Sequence, residues 1–148
     1  MSQPNQRAIE LYYKKLKEAK VSNTASRSIV FAKLYESEHI PLTLSELVAL
    51  TKGFVDRSSV YRSVELLEKI GIIRRLHIGW KYKLELSDDF HGHHHHITCT
   101  VCGKTHATHD DEEFEELLKN LAGRHGYQIT DHQLDIRGVC SKCLKSTN

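Results

Sequence analysis

The stretch Asp56-Arg57-Ser58-Ser59-Val60-Tyr61-Arg62-Ser63-Val64-Glu65-Leu66-Leu67-Glu68-Lys69-Ile70-Gly71 decides the fold of this 148-residue chain. Asp56 is a residue type that caps helices through its carboxylate, and Gly71 stands where a helix stops. Between them Val60, Val64, Leu67 and Ile70 recur at helical spacing, leaving Arg57, Ser58, Tyr61, Arg62 and Glu65 on the other face. Downstream, residues 72–78 and 81–86 are two strand-like runs separated by Gly79-Trp80, which fits a hairpin. Upstream, Ile9, Leu11, Tyr12 and Leu16 mark an amphipathic helix from Arg7 to near Lys20, followed by a polar break over residues 22–26. A second helix with Ile29, Val30, Leu34 and Tyr35 must end before His39-Ile40-Pro41, because the residue preceding proline avoids helical geometry. Thr43-Leu44-Ser45-Glu46 has the form of a capping box and opens a third helix. Residues 1–86 therefore read as a winged helix-turn-helix: three helices and a two-stranded wing behind one leading helix.

Residues 87–148 read as a second, small α+β domain. Its expected order is a short strand around Ile97, a C-x-x-C-G turn and a strand over 104–108, then a helix from about 111 to 124 ended by Gly126, and a strand over 127–137 carrying Ile129, Leu134 and Ile136. The fold class of the whole chain is α+β. Charge divides with the domains: residues 1–86 hold 15 Lys/Arg against 9 Asp/Glu, whereas 87–148 hold 6 against 10. A basic half joined to an acidic, histidine-rich half points to a polyanion reader attached to something that handles cations. No apolar run approaches the roughly 18 residues of a membrane span, and the N-terminus lacks a charged-then-apolar signal pattern, so a cytoplasmic, membrane-free protein is expected.

All four cysteines lie in the second half, as Cys99-Thr-Val-Cys102 and Cys140-Ser-Lys-Cys143. Two C-x-x-C pairs match tetrahedral thiolate binding of zinc, and four thiolates leave no coordination position for substrate, so the ion would be structural. The 37 residues between the pairs require a subdomain between them. Just before Cys99 stands His91-Gly92-His93-His94-His95-His96. Along a strand alternate residues share a face, so His94 and His96 point one way and His93 and His95 the other. Each pair offers two imidazole nitrogens, suited to zinc, iron, nickel and similar ions, with further ligands to come from elsewhere. His106 and His109 read as exposed residues, and His125 as a cation at a helix end.

In a helix-turn-helix the second helix enters the DNA major groove N-terminus first, where arginine reads guanine edges and hydroxyls and tyrosine meet phosphates or thymine methyls. Arg57, Ser58, Ser59, Tyr61 and Arg62 suit those roles, while Lys20, Arg27 and the wing residues Arg74, Arg75 and Lys81 are placed for phosphate contact. The run Ser59-Val60-Tyr61-Arg62, followed by Leu66-Leu67-Glu68-Lys69-Ile70-Gly71, resembles the recognition helix of the ferric uptake regulator family. With H-H-H-H-x-x-C-x-x-C-G at residues 93–103, the later His125-Gly126 and the final cysteine pair, the resemblance runs from about residue 20 to 143.

That resemblance implies a metal-dependent repressor that binds a palindromic double-stranded DNA operator as a homodimer, with the first domain reading DNA and the second dimerising. It implies a regulatory divalent metal at the hinge, held by Glu85, His94, His96 and a histidine of the DNA-binding half. His39 is the expected donor and His77 on the wing its competitor, since Ile40-Pro41-Leu42 separates His39 from Thr43 where the family has no such insertion. A second site in the dimerisation domain maps to His93, His95, Glu115 and His132. His95 stands there in place of the family's usual acidic residue, which moves that site toward zinc or nickel. For the sensed ion the expectation is iron, because every cysteine is already assigned to the four-thiolate site, with zinc next and manganese and nickel as further candidates. A peroxide sensor is the alternative in the same family, disfavoured by Glu85 where such members carry aspartates. A metal-buffering zinc-ribbon adaptor is a different class, opposed by the winged helix. A hydrolytic zinc enzyme would need an H-E-x-x-H helix or nucleophile elbow that the chain lacks, so no enzyme is expected.

Overall fold

The computed structural model describes residues 3–78, 81–108 and 112–146. The expected Gly79-Trp80 turn, His109 and Asp111 lie outside them. The chain forms two compact units, residues 1–92 and 93–148.

The first unit runs α1 (Gln6–Glu18), α2 (Ala25–Glu36), α3 (Leu44–Leu50), α4 (Arg57–Lys69), β1 (Ile73–Ile78), β2 (Lys81–Leu86) and α5 (Asp88–His91). Each of the first four helices starts at an expected type of cap: Asn5, Thr24, Thr43 and Asp56 all accept a backbone N–H of the first turn. At α3 the box is reciprocal, with Thr43 Oγ1 accepting from the Glu46 amide and the Glu46 carboxylate accepting from the Thr43 amide at 2.7 Å. Leu34, Leu47, Val60, Val64, Leu67, Ile72, Leu84 and Leu86 close the core, so α4 buries one face and keeps the other in solvent. The wing is antiparallel, with Ile73 opposite Leu86 and Arg74 opposite Glu85. Gly71, at φ +73°, turns the chain from α4 into that wing. Helix α5 follows β2 and is drawn onto this unit by Phe90, edge-on to Phe31 at 5.2 Å, and by the Lys15–Asp89 ion pair at 2.7 Å.

The second unit contains β3 (His95–Cys99), β4 (Thr105–Thr108), α6 (Glu112–Arg124), β5 (Asp135–Gly138) and α7 (Ser141–Ser146). β3 is central in its sheet, antiparallel to β4 and parallel to β5. The strand expected over 127–137 is a correction: only Asp135–Gly138 pairs, against residues 96–99 of β3, and the segment before it is irregular. A parallel strand needs a partner edge, and β3 is itself only five residues long. Helices α5 and α7 were not expected.

The interior of the second unit is unusual in its chemistry. Among its described residues the buried ones are His94, His95, His96, Thr98, Cys99 and Thr105, whereas Ile97, Leu117, Leu121, Tyr127, Ile136 and Leu144 are exposed. Ile97 and Ile136 sit opposite one another in the β3–β5 register, hence on one face of the sheet, and Leu117 and Leu121 lie one turn apart on α6.

Two substitutions test the α3 start. Thr43→Ala is expected to cost about 1 kcal/mol, the usual worth of an N-cap. The Thr43 backbone N–H holds the Glu46 carboxyl below the ordinary glutamate range. A depressed folded pKa contributes stability that is present above the unfolded value and lost as pH falls through the folded one. Urea midpoints of wild type and Glu46→Gln should therefore differ most near neutrality and converge in acid. A gap that stays constant down to pH 3 would show that the charged carboxylate adds nothing.

Candidate metal centres and nucleic-acid interface

The four cysteines come together from two turns of the second unit. Cys99 and Cys102 flank the β3–β4 turn, where Gly103 (φ +71°) donates its N–H to the Cys99 carbonyl, and Cys140 and Cys143 flank the start of α7. One sulfur from each lies within 4.8 Å of all the others, and Cys102 Sγ is 3.9 Å from Cys140 Sγ. Zn–S bonds of about 2.3 Å in a tetrahedron place sulfurs about 3.8 Å apart, so the donor set fits zinc. Backbone amides prepare the thiolates. The N–H of Cys102, then that of Cys140, brings the Cys99 thiol down to about 6, and the N–H of Cys143 lowers Cys140. Cys143 goes the other way, to about 12, chiefly through its hydrogen bond with the Cys140 sulfur. Four sulfurs this close cannot all ionise without a cation, and a dication reverses that constraint.

His93, His95, Glu115 and His132 form a second cluster, also within the second unit. The first two come from one face of the β3 run with rings 4.7 Å apart, Glu115 projects from α6, and His132 comes from the irregular segment before β5. Glu115 Oε1 lies 3.3, 3.0 and 3.1 Å from Nε2 of His93, His95 and His132, and the His93 and His132 Nε2 atoms are 3.2 Å apart. Metal–nitrogen bonds of about 2.0–2.1 Å give ligand separations of about 3.0–3.4 Å, so this set also fits a divalent ion. Burial acts to raise the Glu115 pKa, but the hydrogen bond from His95 and the fields of His132, His93 and His95 outweigh it and leave a net lowering.

On the opposite face of the same run the His94 and His96 rings stand 4.9 Å apart, both buried. In the first unit Glu85 is 3% exposed and accepts from Arg74 Nε, while Arg74 Nη1 reaches Asp88 Oδ1 at 2.9 Å. His39 has its ring 4.6 Å from that of His91, which no motif in the sequence marks as a ligand. Glu38 and His39 are consecutive non-glycine residues at φ +46° and +66°, a costly conformation that fixes how the His39 side chain leaves the chain. His77 is exposed and pairs with Tyr82. Three residues along β1 from Arg74, it falls on the sheet face opposite to Glu85. His106 is exposed, as expected, and His125 is exposed just after the end of α6.

On α4 the Asp56 carboxylate accepts from Ser58 Oγ and the Ser59 amide, and these bonds, those with the Ser58 and Ser59 hydroxyls first, hold its pKa far below the aspartate range. Arg57 Nη2 donates to Tyr61 OH at 3.1 Å, and Arg62 reaches Ser58 Oγ and Ser59 Oγ at 3.4 and 3.3 Å. Arg57, Ser58, Tyr61 and Arg62 are exposed and Ser59 half-buried, on the side away from Val60, Val64 and Leu67. Lys20 is exposed at φ +56°, just after α1, and Arg27 donates to the Ser22 carbonyl. Arg74 and Arg75, expected at phosphates, are engaged in ion pairs within the first unit. Arg74 is held by Glu85 and Asp88, and Arg75 pairs with Glu68 at 2.8 Å while lying over the Tyr82 ring.

Residues 18–137 match the model of the ferric uptake regulator family. The chain belongs to the ferric uptake regulator family. It is 30% identical over 128 residues to the ferric uptake regulation protein of Neisseria meningitidis serogroup A, covering 84% of this chain and 85% of that one. The ferric uptake regulator of Helicobacter pylori, a protein with three functional metal-binding sites, superposes with a TM-score of 0.79 at 24% identity over 97% of each chain. That of Vibrio cholerae gives 0.72 at 26% identity, over 87% of this chain and 99% of its own. Regulators of the ferric uptake family bind DNA and metal ions and function as dimers.

Cys143→Ser is expected to remove tightly held zinc and to unfold the second unit, since binding at such a site is coupled to folding. Metal content by mass spectrometry and thermal melting of the reduced protein check it. A zinc-free variant with wild-type melting would remove the structural role from these thiolates.

Proposed function

We propose that the protein is a metal-dependent transcriptional repressor that binds a palindromic operator as a homodimer through α4. The observation that carries this reading is the joint presence in one chain of a solvent-facing Ser59-Val60-Tyr61-Arg62 helix surface and a convergent His93–His95–Glu115–His132 donor set. Arg57, Ser58, Ser59, Tyr61 and Arg62 would face bases and nearby phosphates, with Lys20 and Arg27 on the flanking backbone. In this reading the molecule works in the cytoplasm and is not an enzyme. No helix among the described residues is long and apolar enough to cross a membrane.

The structural site takes zinc at Cys99, Cys102, Cys140 and Cys143. The regulatory site is Glu85, His94 and His96, with His39 as the fourth donor, and His93, His95, Glu115 and His132 make a further site. The donors of the regulatory site support the assignment separately: a buried carboxylate in the first unit, and in the second the buried imidazoles of His96 in β3 and His94 just before it. A divalent ion bound there supplies a bridge between chain segments. It favours DNA binding only to the extent that it prefers the DNA-competent arrangement, and a hundredfold preference corresponds to about 2.7 kcal/mol. Iron(II) is the proposed signal, as the site contains no thiolate, with zinc second. The uncovered apolar residues of the second unit support a dimer built through that unit, because a 56-residue unit with a polar interior needs its apolar surface buried elsewhere.

His96→Ala should abolish metal-dependent operator binding while leaving four-thiolate zinc and the dimer intact. Titration with iron(II), zinc and manganese against operator DNA, anaerobically for iron, tests it, and wild-type activation would transfer the switch to the His93 cluster. Leu121 is 53% exposed, and Leu121→Glu is expected to shift the dimer to monomer in sedimentation velocity. An unchanged dimer would place the subunit interface elsewhere.

A further inference from the structure

Phe54 stands out in the first unit: its side chain is 75% exposed, more than any other large apolar residue described there. It occupies the turn between α3 and α4, two residues before the Asp56 cap. That turn is rigid. Thr51 is fully buried, its hydroxyl donates to the Leu47 carbonyl, and its own carbonyl accepts from the amides of both Phe54 and Val55 at 3.1 Å. Gly53 at φ +89° lets the chain double back there. A phenyl ring held in water by a hydrogen-bonded turn would gain free energy from burial against an external partner.

The neighbours define that partner. Lys52, Arg57 and Arg62 are exposed around Phe54 in sequence, with no acidic residue among the exposed side chains from 51 to 62 except Asp56, which is used as the cap. The surface therefore suits a polyanion that also presents an apolar group. Phe54 lies at the N-terminal end of α4, the end of a recognition helix that meets base edges. A phenyl ring cannot donate or accept a hydrogen bond to those edges. The one apolar group they offer in the major groove is the thymine C5-methyl.

We propose that Phe54 is a specificity-determining residue that packs against a thymine methyl in each operator half-site, beside the bases met by Arg57 and Arg62. The proposal rests on the reading of α4 as the DNA-contacting helix. The test uses the full-length, metal-loaded protein and an operator selected from random duplexes by the wild type. Each thymine is replaced in turn by deoxyuridine, which removes only the methyl. Wild type should lose about fourfold at one thymine per half-site, the worth of one buried methyl group. Phe54→Ala should bind the intact operator about tenfold more weakly and be indifferent to deoxyuridine at that same position, with Phe54→Leu in between. Equal affinity of Phe54→Ala and wild type, or a loss that leaves the deoxyuridine profile unchanged, overturns the proposal. A Phe54→Ala variant whose sedimentation changes while operator binding does not assigns the ring to a protein contact and overturns it as well. Arg62→Ala in parallel separates the two levels. If it leaves affinity intact, the assignment of α4 fails and this proposal with it; if it weakens binding while Phe54→Ala does not, only Phe54 is misassigned.

Discussion

Alternation along one short strand and the two residues leading into it organises the chemistry of this molecule. Four consecutive histidines in an extended segment cannot share one face. The backbone sends His93 and His95 toward α6 and the irregular segment before β5, and His94 and His96 to the other side. A helical segment with the same residues would have spread the rings around its circumference. The strand ends at Cys99, so the run that sorts imidazoles also delivers the first thiolate of the closed site. Because β3 is central in its sheet, its position is pinned by β4 on one side and β5 on the other.

Much of this was legible in the chain itself. The start of α3 and both ends of α4 follow from Thr43, Asp56 and Gly71, because caps and stops act locally and their chemistry is written in adjacent residues. The histidine alternation and the C-x-x-C pairs were legible for the same reason. Helix α5 carries no periodicity in four residues, and α7 is a short run entered through the Cys140–Cys143 pair. The length of β5 depends on how much edge β3 presents, a non-local property. Arg74 and Arg75 looked like free cations because Glu85, Asp88 and Glu68 meet them only after the hairpin and α4 are folded. His91 had no signal beyond being a histidine, and its proximity to His39 depends on α5 docking onto the first unit.

The two units differ in what makes them stable. The first has a continuous aliphatic core and an aromatic stack of Tyr12, Phe31 and Phe90. The second has histidines, threonines and a cysteine where a core would be, so coordination chemistry must replace packing. Such an arrangement makes folding and ligand state one equilibrium, which suits a protein that responds to ions.

The uncovered leucines and isoleucines of the second unit also have a genetic consequence. If its fold is completed only by a partner, its stability rises with subunit concentration and has no fixed value in dilute solution. Subunits in one cell then exchange through a common pool. A copy that keeps the second unit but has a damaged α4 would still recruit intact copies, and the mixed pairs could grip only half of a two-fold operator. Such alleles would be dominant, whereas alleles that destroy the second unit would drop out of the pool and be recessive.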